Sequence, residues 1–219
     1  MIFLLLFYWN YSCYISVIPV ELFNRSAYRR EIQSSMYCAT SYVTSKSLVR
    51  APFETLYTLI FSSVVYWMAG LDPNPACFLL FILAAWLSAQ CAVSFGYLTS
   101  AISPSFQVAM AIHIPVILPL FLTAGLFINA GTVPWYLVWC QWLSYYYYAF
   151  EVMCATQFYG EHVFEGCEGG TCPLNSGDEV LASLAFRAQN VWRVDIPMLV
   201  VLVVAYRCLA LFVVYRRAK

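Results

Sequence analysis

The feature that most constrains this chain is a series of apolar stretches, separated by short polar or proline-containing segments. A helix of about 20 apolar residues crosses the ~30 Å hydrocarbon core of a bilayer. Charged residues make up 10% of the chain and hydrophobic residues 63%, whereas soluble domains carry about 25% charged residues. This inventory cannot cover a water-exposed surface, so the sequence predicts an all-α integral membrane protein.

The apolar stretches predict about five transmembrane helices, at approximately residues 1–20, 53–70, 76–99, 106–128 and 196–215. Residues 1–20 could also be taken for a signal peptide. They lack a basic n-region and a small-x-small cleavage site, so a membrane span is favoured. Asp72-Pro73-Asn74-Pro75 predicts the turn between two spans, because two prolines and an Asn do not continue a helix.

The basic residues predict the orientation of the bundle. The segment 21–51 carries five of the eleven Lys and Arg residues, and the tail after residue 215 carries three. The positive-inside rule places both in the cytoplasm, the first as a polar loop with amphipathic helical stretches. If the aromatic segment 133–158 crossed fully, the basic tail would lie outside. A re-entrant or interfacial aromatic hairpin is therefore favoured, with the re-entrant segment and an external loop together occupying residues 130–195.

Motifs for catalysis and metal binding are missing from the sequence. It contains no G-x-x-x-x-G-K-[ST] phosphate-binding loop and no H-E-x-x-H, and its two histidines are too few for a typical His-rich site. Ala92-Val93-Ser94-Phe95-Gly96 loosely resembles a nucleophile elbow but lacks the first Gly. Ser88, Ala92 and Gly96 instead recur every four residues, a small-residue stripe that lets a neighbouring helix approach closely. No catalytic residue, metal site or nucleic-acid partner is predicted.

Pro115 and Pro119 predict a kink in the fourth span, because each removes a backbone donor and frees a carbonyl group. Such a helix could line a translocation cavity or simply be kinked, and the residues alone leave both interpretations open.

Four ionisable residues are predicted at or near membrane depth. Glu151 is expected to anchor the aromatic hairpin, and Arg207 to snorkel to the cytoplasmic interface. Glu54 is expected in the first turn of its span, where a carboxylate meets the positive end of the helix. His113 is expected to pack or to lie at an interface.

Cys167 and Cys172 lie in the predicted external loop. Their spacing permits a disulfide and the external compartment is oxidising, so a disulfide is predicted and a zinc site with His162 is not.

An ordered set of short motifs resembles the membrane domain of the G subfamily of ABC transporters, most closely its white-type members, which carry eye-pigment precursors in insects. The motifs are Val20-Glu21-Leu22-Phe23, Arg30-Glu31, Ser94-Phe95-Gly96-Tyr97-Leu98, Ala124-Gly125-Leu126-Phe127-Ile128-Asn129, Val133-Pro134-Trp135-Tyr136-Leu137, Trp142-Leu143-Ser144 with Tyr148 and Glu151, and Cys167 with Cys172-Pro173. The resemblance runs in order over essentially the whole chain. It implies a partial ABC-2 type transmembrane domain of a half-transporter, beginning within the family's second membrane helix.

The resemblance also implies a dimer with a substrate cavity between the protomers, lined by residues 1–20 and 106–128. By position, Tyr14 corresponds to an aromatic residue that stacks on substrate, and Tyr11 lies one turn earlier. The remaining implied cavity residues are Leu118, Phe121 and Leu122, and the implied hydrophobic valve is Leu126 and Phe127. Phe127 departs from the di-leucine of some multidrug members, which argues against multidrug specificity.

Arg30 and Glu31 correspond to the helix that couples the membrane domain to a nucleotide-binding domain. That domain would supply ATP and Mg²⁺ chemistry and is missing here, so the chain is not expected to be an enzyme by itself.

The expected substrates are small apolar or aromatic molecules, either pigment precursors or sterols and lipids. The expected locations are the plasma membrane or an intracellular vesicle or pigment-granule membrane. The alternative is a self-contained multi-span protein, a channel or a regulatory partner, without ATP-driven transport.

Overall fold

The computed structural model describes residues 2–34, 36, 38–128, 133–135, 137–158, 177–186 and 191–218. Within these ranges all regular secondary structure is helical. The helices are α1 (Ile2–Gln33), α2 (Ala39–Met68), α3 (Pro75–Ile102), α4 (Phe106–Leu122), α5 (Val138–Leu143), α6 (Tyr145–Phe158), α7 (Gly177–Ser183) and α8 (Ile196–Ala218). A π-helical segment, Val191–Asp195, leads directly into α8.

Among the described residues, four helical stretches are long and apolar enough to cross a membrane: Ile2–Ala27, Thr40–Met68, Pro75–Ile102 and Val191–Arg216. The fifth predicted span corresponds to the shorter apolar helix Phe106–Leu122, of 17 residues, about 25 Å long at 1.5 Å per residue. The prediction of an all-α membrane bundle is confirmed.

Helix α3 lies at the centre of the bundle and packs against α1, α2, α6 and α8. Nearly every residue from Ala84 to Ala101 is buried. The predicted stripe of Ser88, Ala92 and Gly96 lies within this buried stretch. A Cβ atom on Gly96 would lie 3.2 Å from Val17 Cβ and 3.3 Å from the Tyr14 carbonyl oxygen of α1. The small residue therefore sets how closely α1 and α3 approach, as the sequence predicted.

The first two helices extend well beyond the predicted spans. Helix α1 continues to Gln33 and α2 already begins at Ala39, so most of the predicted polar loop 21–51 is helical. Polar residues do not end a helix by themselves, and residues 21–51 contain no Gly or Pro that would. An ion pair of 2.7 Å between Glu21 and Lys46 links the two helices beyond their apolar parts.

The turn at Asp72-Pro73-Asn74-Pro75 is confirmed. The Asn74 side chain accepts a hydrogen bond from the Ala76 N–H at 3.1 Å and so caps α3, and Pro75 is the first residue of that helix. Proline is well suited to this position because its missing N–H would have no partner there.

Helix α4 ends at Leu122, six residues before the predicted limit of 128. The Thr123 hydroxyl donates to the Pro119 carbonyl at 2.9 Å, and Gly125 has a φ of +105°. A Cβ atom on Gly125 would lie 2.6 Å from Phe186 Cζ. Both the backbone conformation and the contact with Phe186 therefore require glycine, and the chain turns away from the helix axis there.

The aromatic segment 133–158 contains two helices, α5 and α6, separated at Ser144. The Ser144 hydroxyl donates to the Leu120 carbonyl of α4 at 2.7 Å and accepts from the Tyr147 N–H at 3.2 Å. Helix α6 has 14 residues, about 21 Å in length, which is shorter than the ~30 Å hydrocarbon core. The re-entry of this segment into the membrane stays a prediction, because α4 is also shorter than the core and helix length alone does not distinguish a re-entrant segment from a span.

Candidate substrate cavity

Tyr14 joins helices α1 and α4. The residue is fully buried, and its ring stacks on His113 with centroids 3.6 Å apart and planes inclined by 21°. The Tyr14 hydroxyl donates to the Ala109 carbonyl at 3.3 Å. Tyr11 is half-buried, and its ring centroid lies 5.8 Å from that of His113. The structure thus brings Tyr11 and Tyr14 together around His113. Stacking of a substrate on Tyr14 stays a prediction that requires one of these buried rings to move.

Phe121 lies in a second cluster, which we call the aromatic wall. Its ring lies 4.7 Å from that of Phe3 and 4.4 Å from that of Phe7, both in α1. The ring of Tyr146 in α6 meets the Phe121 ring edge-on at 6.0 Å and 84°. Phe127 completes the wall at 5.3 Å from Phe121. Offset and edge-to-face pairs of this kind contribute about 0.5–1.5 kcal/mol each beyond their buried area.

Leu118 and Leu122 lie on the open side of α4. Leu118 is 51% exposed and Leu122 is half-buried. On α1, Leu4 and Tyr8 are 57% and 63% exposed. We call these four residues, with Tyr11, the α1–α4 face. Helices α1 and α4 contact each other through Tyr14, His113 and the aromatic wall. That the α1–α4 face forms one wall of a substrate cavity stays a prediction.

The two predicted valve residues follow the end of α4. Leu126 and Phe127 are 44% and 56% exposed, and the Phe127 ring lies 5.9 Å from that of Phe3. The structure therefore places Phe127 at the edge of the aromatic wall, next to Phe121, a predicted cavity residue. The valve function itself stays a prediction.

Arg30 and Glu31 lie in the last turn of α1, far from the cavity residues. Arg30 is exposed and Glu31 is half-buried. From Phe3 to Arg30 the chain is one helix with Pro19 inside it, about 40 Å long. This helix connects the predicted coupling residues to the predicted cavity residues, and Pro19 removes one of its backbone hydrogen bonds between them. The coupling role stays a prediction.

Cys167, Cys172 and His162 lie outside the described residues, so the predicted disulfide stays a prediction. The seven cysteines within the described part of the chain form no disulfide. No group of three or more His, Cys, Asp or Glu side chains in that part could hold a metal ion.

A polar network that the sequence analysis missed crosses the bundle. The Arg207 guanidinium of α8 donates to Gln90 Oε1 at 2.7 Å and to the Ser94 hydroxyl at 3.2 Å. Gln90 Nε2 donates to Glu54 of α2 at 2.9 Å. The expectation that Arg207 snorkels is therefore wrong, because Arg207 points into the bundle and bonds to α3.

The network continues from α2 to α1. Arg50 donates both to Glu54, four residues later, and to the Ser16 hydroxyl, each at 2.5 Å. Glu54 was expected in a first helical turn, which is also wrong because α2 begins at Ala39. Two features of the sequence could have indicated this network. Arg50 and Glu54 have the i,i+4 spacing of a helical ion pair, and Gln90 is a polar residue within an apolar span.

His113 packs as predicted, but neither of its ring nitrogens has a hydrogen-bond partner among the described residues. Its side chain is 1% exposed. Leaving a buried polar atom unpaired lowers the free energy of unfolding by about 1–3 kcal/mol. His113 therefore destabilises the contact between α1 and α4.

Residues 1–158 match the model of the ABC-2 type transporter family. The chain belongs to this family. It is 33% identical over 213 residues to Protein white of Drosophila melanogaster, covering 96% of this chain and 30% of that protein. It is also 31% identical to Protein white of Ceratitis capitata, covering 94% of this chain and 30% of that protein.

ABC transporter G family member 1 of Dictyostelium discoideum is 29% identical over 85% of this chain and 24% of its own length. The chain thus spans less than a third of each of these relatives. The resemblance to the membrane domain of the G subfamily is confirmed, and the chain is a membrane part of a transporter.

Proposed function

We propose that this chain forms the membrane-spanning part of an ATP-driven half-transporter that works as a homo- or heterodimer. It moves small apolar or aromatic molecules across a membrane. The observation that carries the proposal is the α1–α4 face beside the aromatic wall, on the two helices that the family resemblance assigns to the cavity. A second half-transporter supplies the missing wall when its own α1–α4 face is opposite.

The chemistry of the face supports uncharged, flat substrates. The α1–α4 face and the aromatic wall contain no ionised side chain, so a charged substrate would lose its hydration without a partner. Aromatic rings such as Phe121 and Tyr11 offer stacking surfaces. Guanine-derived pigment precursors fit this face, as do sterols and lipids. Tryptophan-derived precursors offer an aromatic ring for stacking, but those that remain zwitterionic amino acids would lose hydration there. The likeness to white-type members favours the pigment precursors.

ATP and Mg²⁺ belong to a nucleotide-binding domain, which supplies the energy of hydrolysis. The contribution of this chain is to bind the substrate on the α1–α4 face and to respond to movement at Arg30 and Glu31. The continuous helix α1 joins these two places. The plasma membrane or a pigment-granule membrane is the proposed location.

Uptake into inside-out vesicles containing the assembled transporter tests the function. Labelled guanine and cholesterol, which are uncharged, are offered with and without ATP beside zwitterionic tryptophan as a charged comparison, using wild type, Tyr11→Ala and Phe121→Ala. We expect ATP-dependent uptake of one substrate class and a loss of about tenfold in each variant, since one stacked ring contributes about 1–2 kcal/mol including its buried area.

The matched control is Tyr215→Ala, at a tyrosine of α8 that is 54% exposed and distant in sequence from the cavity helices. It should transport like wild type. Uptake of all three compounds that is independent of ATP would contradict the proposal, and equal losses in all three variants would contradict the assignment of the cavity.

A further inference from the structure

A groove of about 700 Å³ lies between α1 and α2, and none of the residues that line it belongs to the α1–α4 face. Its apolar wall is formed by Trp9 of α1 and by Phe53, Tyr57, Phe61 and Val64 of α2. The Trp9 and Phe61 rings stack at 4.4 Å and 12° and narrow one end. Specific small-molecule sites in proteins have about this volume and are mostly apolar with a few polar groups.

The polar groups of the groove lie together at its other end. Arg50, Glu54, Ser12 and Ser16 line it there. The Arg50 side chain is 23% exposed, and Nε and Nη2 are the atoms that donate to Glu54 and Ser16. A guanidinium has five N–H donors, so Arg50 retains donors that can bind an oxygen ligand entering the groove.

The charges around this end do not balance. Arg50, Glu54 and Arg207 belong to the polar network, which leaves one net positive charge. The nearby Lys46 is already neutralised by Glu21. Charges removed from water are stable when they are paired, so a single anion at the polar end would complete the network.

The dimensions and the orientation point to a lipid. From Arg50 to Val64 the groove follows 14 residues of α2, about 21 Å, which is more than one leaflet of a ~30 Å hydrocarbon core. The positive-inside rule places the Arg50 end at the cytoplasmic headgroup level, where the anionic lipids of a membrane are concentrated.

We propose that the α1–α2 groove is a binding site for one anionic phospholipid of the cytoplasmic leaflet. The headgroup accepts hydrogen bonds from Arg50, and an acyl chain lies along Phe53, Tyr57 and Trp9. The lipid would support the packing of α1 against α2, and therefore the position of the α1–α4 face, without being transported.

Native mass spectrometry of the full chain, released from detergent with added lipid, tests this proposal. The probes are phosphatidylserine and phosphatidylcholine with identical acyl chains. We expect one phosphatidylserine to bind in preference to phosphatidylcholine. Arg50→Gln should reduce this binding by about tenfold, the loss expected for one charge-assisted hydrogen bond.

Two further variants make the result specific. Lys46→Gln removes an equal charge on the same helix but outside the groove, and it should leave the preference for phosphatidylserine unchanged. Ser12→Phe keeps the contacts of Arg50 and fills the groove, so binding should be lost even though the headgroup site is intact.

Three results would overturn the proposal. The first is equal binding of the two lipids by wild type. The second is an equal effect of Arg50→Gln and Lys46→Gln, which would indicate attraction by bulk charge. The third is unchanged binding in Ser12→Phe, which would mean that the lipid lies elsewhere and that the groove is covered by another occupant such as a helix.

Discussion

At the scale of single residues, Gly96 determines how closely the first and third helices pack. A Cβ atom there would approach Val17 Cβ to 3.2 Å and the Tyr14 carbonyl oxygen to 3.3 Å. Tyr14 is also the residue that contacts α4. A change at Gly96 therefore acts on a helix that carries proposed cavity residues.

We expect Gly96→Val to destabilise the folded domain by about 1–3 kcal/mol, the usual cost of inserting carbon atoms into a well-packed interface. Ala205→Val, at an exposed position of α8, is the matched control and should be neutral. Thermal unfolding in detergent compares the two variants. Equal midpoints for Gly96→Val and wild type would show that α1 and α3 are not in the close contact described.

The polar network is the second determinant at this scale, and it explains why two charged residues were wrongly interpreted from sequence. Hydropathy reports where Arg207 lies along a helix but not which direction it faces. Its partners Gln90 and Ser94 are more than 110 positions away in sequence. A contact of this kind is visible only after α3 and α8 have been packed together.

We expect Gln90→Leu to destabilise more than Arg207→Leu. The first variant leaves a cation buried with fewer partners, whereas the second leaves only an amide. In a double-mutant cycle the coupling energy should be about 1–2 kcal/mol, at the upper end of values for polar pairs in membrane proteins. Reversible unfolding in mixed micelles measures this energy. Additive effects of the two changes would contradict the described hydrogen bond.

At the scale of helices, the sequence predicts the apolar parts better than their ends. The turn before Pro75 was predicted correctly because proline and Asn act locally. The C-terminal end of α1 and the start of α2 lie beyond the predicted spans, within the segment predicted to contain amphipathic helical stretches. Helix can continue through charged residues there, and the ion pair Glu21–Lys46 joins the two helices. The early end of α4 was missed although Gly125, which has a positive φ just after the helix, is a local stop signal. Only its contact with Phe186 is invisible to a local pattern.

Helix α4 is interrupted by two prolines, and the effect of these prolines on its backbone can be tested directly. Pro115 and Pro119 lie inside it and remove two hydrogen bonds from a helix that carries Leu118, Phe121 and His113. The helix is therefore expected to be easier to deform than the other spans, which agrees with the proposed role of α4 as a cavity wall.

We expect Pro115→Ala to stabilise α4 by about 1 kcal/mol and to slow transport, because it restores a backbone hydrogen bond and stiffens the helix. Pro75→Ala is the control, since Pro75 is the first residue of α3 and removes no helical hydrogen bond. Hydrogen exchange at residues 111–119 and vesicle uptake measure the two effects. Faster exchange in Pro115→Ala would contradict this account.

At the scale of the whole molecule, the fold separates two regions along α1. Phe3, Phe7 and Tyr14 connect α1 to α4, and Ser16 connects it to α2 and the polar network. Arg30 and Glu31 continue the same helix beyond the network. The family resemblance assigned roles to Tyr14 and Leu118 from the sequence alone. Only the packing shows that the Tyr14 side chain is covered by His113, whereas the Leu118 side chain is exposed.

The central claim is that the α1–α4 face lines the substrate pathway. Cysteine accessibility tests it most directly, using Leu118→Cys in the assembled transporter with the exposed Cys38 and Cys208 replaced by Ser. Val204→Cys on α8 is the matched control, because Val204 is 55% exposed and Leu118 is 51% exposed. We predict that a membrane-impermeant thiol reagent labels Leu118→Cys, that substrate slows this labelling, and that Val204→Cys is not labelled. Leu118→Cys that is as unreactive as Val204→Cys, or that is labelled at the same rate with and without substrate, would contradict the account.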